Sequence, residues 1–218
     1  MKHLLFTVLL LSGCTVANHS QLPELNLQPD NLTAQACNAV FPGNGWQFVH
    51  SISFRQANGH GSTLLGVTTL TREHIRSALL TVEGLTLFEA ESDQAGALDV
   101  TKALPPFDSQ GFAAGLMHDI QTIFRRPQGA LQLGTDADEM ATCRFTAGSG
   151  AVTDVHPKTE NCWTVNQYTF THERTRSVTG CWSSSTDQAQ FPQKLSLNAY
   201  GMRGYSLNMK LLNAVPVK

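Results

Sequence analysis

The sequence predicts an α+β domain in which about nine to eleven short antiparallel strands carry one packed central helix. Three observations predict it. Apolar residues alternate with a period of two along most of the chain, turn signals at close spacing separate the alternating runs, and one long stretch switches to helical spacing.

Leu32 to Val40 has the spacing of a short helix, with Leu32, Ala36 and Ala39 or Val40 on one side and Pro42-Gly43 as its stop. The period then becomes two. Phe48, His50, Ile52 and Phe54 alternate with Val49, Ser51, Ser53 and Arg55, and Asn58-Gly59-His60-Gly61 turns the chain. Leu65 and Val67 continue the pattern in a strand from Thr63 to Leu70. Ile75 to Val82 follows, and Glu83-Gly84 turns into Leu85 to Glu91. Four strands so closely spaced read as an antiparallel meander.

Pro105-Pro106 ends that region, and Asp108 or Ser109 is placed to cap a helix running to Phe124. Phe112, Leu116, Ile120 and Phe124 recur every four residues, with Ala113, Met117 and Ile123 widening the stripe. His118, Asp119 and Gln121 fall on the other side and are expected to face solvent. Arg125-Arg126 suits the helix C-terminus electrostatically. Strand patterning returns at Met140 to Thr146, Cys162 to Thr171 and Arg174 to Ser183. Leu195, Leu197 and Ala199 then alternate, as do Tyr205, Leu207, Met209 and Leu211 across a hairpin at Tyr200 to Gly204.

With 41% hydrophobic and 15% charged residues over 218 positions, the chain can build a core. Its formal net charge of −2, with no basic cluster, argues against a nucleic-acid partner.

Residues 1–13 read as a secretion signal: Lys2 is the basic start, Leu4 to Leu11 the apolar core, and Leu11-Ser12-Gly13-Cys14 a small-residue cleavage site. The run is too short to span a bilayer, which takes about twenty apolar residues. Leu-Ser-Gly-Cys resembles the bacterial lipobox, in which Cys14 is acylated and becomes the mature N-terminus. Thr15 stands where inner-membrane-retained lipoproteins usually carry Asp, so the resemblance implies the periplasmic face of the outer membrane. Residues 14–30, polar and holding Pro23 and Pro29, are then a lipidated tether, and 31–218 a single domain.

Cys37, Cys143, Cys162 and Cys181 remain, an even number in an oxidising compartment, with three possible pairings. A hairpin centred between Thr171 and His172 sets Cys162 opposite Cys181, close enough to bridge. A turn centred on His172-Glu173-Arg174 shifts the register and points the sulfurs apart. Cys37 and Cys143 then pair by elimination or stay free.

Ser53-Phe54-Arg55-Gln56, Leu64-Leu65-Gly66-Val67, Glu83-Gly84-Leu85, Leu87-Phe88-Glu89, Asp119 to Phe124 and the hairpin from Phe191-Pro192 to Leu207 together carry a resemblance. They are similar to an uncharacterised family of bacterial lipoproteins shaped like the outer-membrane lipoprotein receptor and its periplasmic carrier in the lipoprotein-localisation pathway. The resemblance implies a curved antiparallel sheet forming an incomplete β-barrel around a hydrophobic cavity, lidded by helices. Its members are often associated with biosynthesis and export of lipid-like polyene pigments. In such a half-barrel Phe48, Ile52, Phe54, Leu65, Val67, Leu87, Phe88, Leu116, Ile120 and Phe124 become candidates to line a cavity for an acyl or polyene chain. Alone, the same residues read as ordinary core.

Enzyme signatures are weak. Gly59-His60-Gly61-Ser62 lies between two strands, not on the strand-to-helix turn of a hydrolase elbow. The eight histidines form no metal-binding pair, and Asp136, Asp138 and Glu139 lack the spacing of a calcium loop. No catalytic residue, metal or cofactor is expected. The partners expected are a membrane, through the acyl group on Cys14, and a hydrophobic small molecule or lipid. The competing reading is a structural or accessory lipoprotein that docks on other envelope proteins. Replacing Cys14 by Ala should leave a folded protein that is soluble or unprocessed, because the acyl chains, at about 0.8 kcal/mol per buried CH₂, are the whole anchor. Cell fractionation and the mass of the mature N-terminus check it; a wild-type chain that keeps Met1 and carries no lipid would refute the signal reading.

Overall fold

The computed structural model describes residues 21–27, 32–109, 111–183, 190–201 and 204–217. Cys14 and the proposed signal lie outside them. Among the described residues, helix α1 (Ala34–Asn38) precedes strands β1 (Trp46–Gln56), β2 (Gly61–Leu70), β3 (His74–Leu80), β4 (Thr86–Asp93) and β5 (Leu98–Ala103). Helix α2 (Phe112–Phe124) follows, then β6 (Ala130–Thr135), β7 (Ala141–Thr146), β8 (Val152–Thr159), β9 (Cys162–Tyr168), β10 (Arg174–Cys181), β11 (Lys194–Ala199) and β12 (Tyr205–Pro216).

These strands make one antiparallel sheet in the order β5-β4-β3-β2-β1-β12-β11-β10-β9-β8-β7-β6. The chain lays down β1 to β5 outward from the centre and crosses to the far edge through α2. It then returns strand by strand until β12 pairs with β1. Every connection thus runs between neighbouring strands except the one that carries the helix.

The sheet curls around that helix. Gln121 Nε2 donates to Ser92 Oγ on β4 at 3.0 Å, while His118 Nε2 lies 3.0 Å from Gln167 Oε1 on β9. In the sheet β4 and β9 stand seven strands apart, which would be about 33 Å in a flat sheet. Two helix residues three positions apart are only about 5–6 Å from one another. Helix α2 therefore lies in a trough, and the fold is an α+β incomplete barrel with a packed central helix.

Enclosure explains one correction. Asp119, expected to face solvent, is 2% exposed. A helix in a trough meets sheet on more than one side, so its polar face must find partners there. A second difference lies at the helix start. Neither Asp108 nor Ser109 caps it; the helix begins at Phe112 after Gly111, whose φ of 80° is the left-handed backbone that favours glycine.

Three strands carry no clear alternation in the sequence. β5 is a mostly exposed edge and β6 is the other edge. On β8, Asp154 and His156 are buried where apolar residues would be expected. Both are partnered. Arg144 donates to the two oxygens of Asp154 at 2.7 Å each, and His156 Nδ1 lies 3.1 Å from Thr142 Oγ1. The expected tether is also partly docked: Asn26 bridges to Thr135, and Arg144 donates to the Pro23 carbonyl oxygen at 2.8 Å.

Cys162 is bonded to Cys181, and Cys37 to Cys143. A one-residue bulge places the first pair. Next to the turn Arg174 faces Tyr168, and the register then slips by one so that Arg176 faces Gln167 and Cys181 faces Cys162. Without the extra residue Cys181 would face Asn161.

The second bridge spans 106 residues of sequence and the first only 19. In the chain-entropy model, removing Cys37–Cys143 with paired serines should cost about 4–5 kcal/mol, against about 3 kcal/mol for Cys162–Cys181. Urea unfolding of the two double variants tests the ranking, and non-reducing peptide maps test the pairing. A larger loss for the shorter loop would contradict it.

Candidate functional site

Helix α2 is fixed across its width by polar contacts and at its end by aromatic ones. Arg176 on β10 donates through Nε to Asp119 Oδ1 at 2.6 Å, and the Tyr205 hydroxyl on β12 donates to Oδ2. Burial, followed by the neighbouring carboxylate, pushes the Tyr205 phenol well above its usual range. At the helix end the Phe124 ring stacks on Phe48 with centroids 5.3 Å apart, and Phe191 meets Phe48 edge-on at 4.9 Å.

Beyond that stack lies a pocket of about 190 Å³. Its walls come from the segment after α1 (Val40, Phe41), from β1 (Phe48, His50), from Ile123 and Phe124, and from Trp163, Trp182, Phe191 and Leu195. No Lys, Arg, Asp or Glu lines it among the described residues.

Of the candidates for a cavity wall, Phe48 and Phe124 line this pocket. Phe88 and Ile120 are buried in the core, and Ile52, Phe54 and Leu116 are half-buried against it. Leu65 and Val67 do not join them. Thr68, Gly66 and Leu64 are the residues that pair with Phe48, His50 and Ile52, so the alternation places Leu65 and Val67 on the convex face. Leu87 sits at an irregularity between the pairs Leu79–Phe88 and Leu80–Thr86, outside the buried cluster.

His50 belongs to the alternating set that includes Phe48, whereas Trp163, Trp182 and Phe191 are pocket residues that alternation alone does not single out. The signal for two of them was the repeated Cys-Trp pair at 162–163 and 181–182. With the cysteines bonded on the convex side, Trp163 turns into the core opposite Gly180. The indole lies where a Cβ on residue 180 would stand, within 2.3 Å of its Cε2, so only glycine admits it.

His50 is 2% exposed, and burial lowers its pKa from 6.5 to about 4. Its imidazole is therefore neutral at physiological pH. The acidic run Asp136, Asp138, Glu139 closes a turn: Asp136 Oδ1 accepts from the backbone N–H of Asp138 and Met140 at 3.0 Å. Among the described residues no group of three or more His, Cys, Asp or Glu is placed to hold a metal ion.

The buried histidine makes stability depend on pH. The folded chain holds His50 neutral down to about pH 4, whereas the unfolded chain protonates it near 6.5. Between those values the unfolded state binds more protons, so stability falls as pH falls, by about 3 kcal/mol once the window is crossed. Burial also lowers His156, which adds with the same sign. Urea unfolding from pH 7 to 4 should show the loss, with a shallower slope in His50→Asn. Equal slopes in the two proteins would remove His50 as the cause.

No family model matches the chain, and no curated protein matches its sequence. Solved structures do. A LolA superfamily protein from Nitrosomonas europaea superposes with a TM-score of 0.53 at 9% identity, over 86% of this chain and 94% of that one. A putative outer membrane lipoprotein-sorting protein domain from Vibrio parahaemolyticus gives 0.45 at 10% identity, over 84% and 90%. A DUF1329 family protein from Desulfovibrio piger gives 0.38 at 8% identity, over 84% and 90%. At 9% identity the first of these likenesses speaks for the fold alone, and the fold of this chain is LolA-like.

Proposed function

We propose that this protein is a lipid-anchored lipoprotein on the periplasmic face of the outer membrane that binds or hands over one hydrophobic molecule. The observation that carries this reading is the aromatic-walled pocket at the end of α2, in a fold shared with a LolA superfamily protein. Cys14 supplies the anchor, consistent with the fact that no helix among the described residues is long and apolar enough to cross a membrane. The role is non-catalytic: binding and release need only the apolar walls and the neutral His50.

Size narrows the cargo. About 190 Å³ is modestly larger than the roughly 150 Å³ cavity that holds benzene, and below the several hundred Å³ of drug-sized ligand sites. One ring or one short stretch of chain fits within it. Native mass spectrometry of the full chain released from membranes in gentle detergent should show a bound mass beyond the anchor. Replacing Phe48 and Phe124 by Ala together should abolish that mass. A wild-type protein without any added mass, folded by circular dichroism, would contradict a carrier role.

A further inference from the structure

From residue 21 onward the N-terminal segment is strapped to the domain. Leu22 donates its backbone N–H to the His172 carbonyl oxygen at 2.9 Å, and Gln21 bridges to Glu173, both at the turn between β9 and β10. The chain then passes over β7, where Arg144 holds the Pro23 carbonyl oxygen. It ends at the edge strand β6, where Asn26 and Thr135 exchange backbone hydrogen bonds of 2.8 and 2.9 Å. That edge is shaped to receive it: a Cβ on Gly134 would overlap the Asn26 carbonyl oxygen.

Docking shortens the reach of an anchor. Seven residues separate Cys14 from Gln21, at most about 25 Å of extended chain, whereas a tether free as far as α1 would reach about 70 Å. An acyl group on Cys14 therefore keeps the β9–β10 turn, of all the turns in the sheet, near the membrane.

What stands at that turn suits a membrane surface. Phe170 is 73% exposed, the most exposed large apolar side chain among the described residues. It lies two residues from His172, where the strap attaches, so at most about 7 Å away. The Thr169 hydroxyl accepts from the backbone N–H of Thr171 and of Glu173 at 3.2 Å each, which orders the tip that carries the ring. Tyr200, exposed on the next turn, has the Arg174 guanidinium 4.8 Å from its ring centroid. Aromatic rings and a cation fit the boundary between acyl chains and anionic headgroups, and Arg174 offsets the neighbouring Glu173 carboxylate. One phenylalanine binds a membrane weakly by itself. An anchor within reach makes the contact intramolecular, so little affinity suffices.

The pocket lies at the other end of the same strands. Its wall residues Trp163 and Leu195 flank Gly180 next to the Cys162–Cys181 bridge, and about 20 Å of strand separates Trp163 from Thr169 at the turn.

Resting on the proposed lipid anchor, we infer that the strapped segment stands the domain on its β9–β10 turn, with Phe170 against the bilayer surface and the pocket turned away from it. Cargo then enters and leaves on the aqueous side, not sideways from the leaflet that holds the anchor.

The turn between β3 and β4 is the natural comparison, because Val82 there is 65% exposed and the strap does not touch it. The full lipidated chain is placed in vesicles of phosphatidylethanolamine and phosphatidylglycerol whose acyl chains carry bromine near the headgroup. Phe170→Trp and Val82→Trp each add one fluorophore to the three native tryptophans, and the added signal is read against wild type. Bromine should quench the signal added by Phe170→Trp at least about two-fold more strongly than that added by Val82→Trp, since only the first reaches headgroup depth. Leu22→Pro with Gly134→Ala removes the N–H that His172 accepts and fills the space of the Asn26 carbonyl. Added to Phe170→Trp, the pair should bring quenching down to the level of Val82→Trp while the protein still floats with the vesicles.

Equal quenching of the two reporters in a chain that floats, or stronger quenching with Val82→Trp, would overturn the orientation and leave the lipid anchor standing. Quenching of Phe170→Trp that survives Leu22→Pro with Gly134→Ala unchanged would overturn the role of the strap. A folded wild-type chain that does not float with the vesicles would overturn the anchor and this inference together.

Discussion

A sheet of twelve antiparallel strands presents one apolar face longer than any single helix can cover while flat. It must curl until the face closes on itself or on a filler. Helix α2, thirteen residues and about 20 Å long, is that filler. Its side chains reach β4 through Gln121 and β9 through His118, so the two arms of the sheet are held at the width of one helix. Everything else in the fold follows from that width. The polar face of α2 cannot look outward, Asp119 must be paired, and Arg176 and Tyr205 pair it from two adjoining regions of the sheet. Such a buried ion pair adds little net stability over an apolar substitute, but losing one partner would cost about 3–5 kcal/mol. Its use here is registration. It allows only one rotation of the helix in the trough.

The pocket is where the filler stops. Phe124 is the last helical residue, and the next one, Arg125, already has extended backbone. Beyond that point the inner face of the sheet is covered by the segment after α1 and by the aromatic rings of Phe48, Phe191 and Trp163 instead of by helix. The cavity is thus a consequence of the length of α2 and of the bulk of the residues next to its end.

Much of this was legible. Alternation gave the central strands because β1 and β12 are long and have one buried face, and the four-residue recurrence gave α2 because its stripe faces the core. Leu65 and Val67 were misplaced for a local reason. Their strand is apolar on both faces, and the true inward residues are Leu64, Gly66 and Thr68, two of which are weak hydrophobic signals. Gly66 is small because the Ile52 side chain occupies its space, within 2.4 Å of where a Cβ would be. A pattern of apolar residues cannot show that a glycine marks the buried face. β8 was hidden for the opposite reason: Asp154 and His156 are buried but paired to β7, and such pairing is invisible until Arg144 and Thr142 are opposite them. Asp119 belongs to the same class.

The cysteines tie the site to the compartment. Cys37 is bonded to Cys143 on β7, and the residues just after it, Ala39 to Gly43, form one wall of the pocket. Cys162 and Cys181 are bonded on the convex side, and the residues just after each, Trp163 and Trp182, form part of the other wall. Both walls therefore begin at a disulfide. α1 has five residues, too few to be stable alone, and a hairpin carrying a bulge can slip by one residue, which would turn Trp163 outward. The covalent links remove both freedoms before any ligand arrives. For the proposed carrier role, a site ordered in advance would lose less entropy on binding. Disulfides persist in an oxidising compartment and are lost in a reducing one, so the shape of the site depends on folding where both bonds can form.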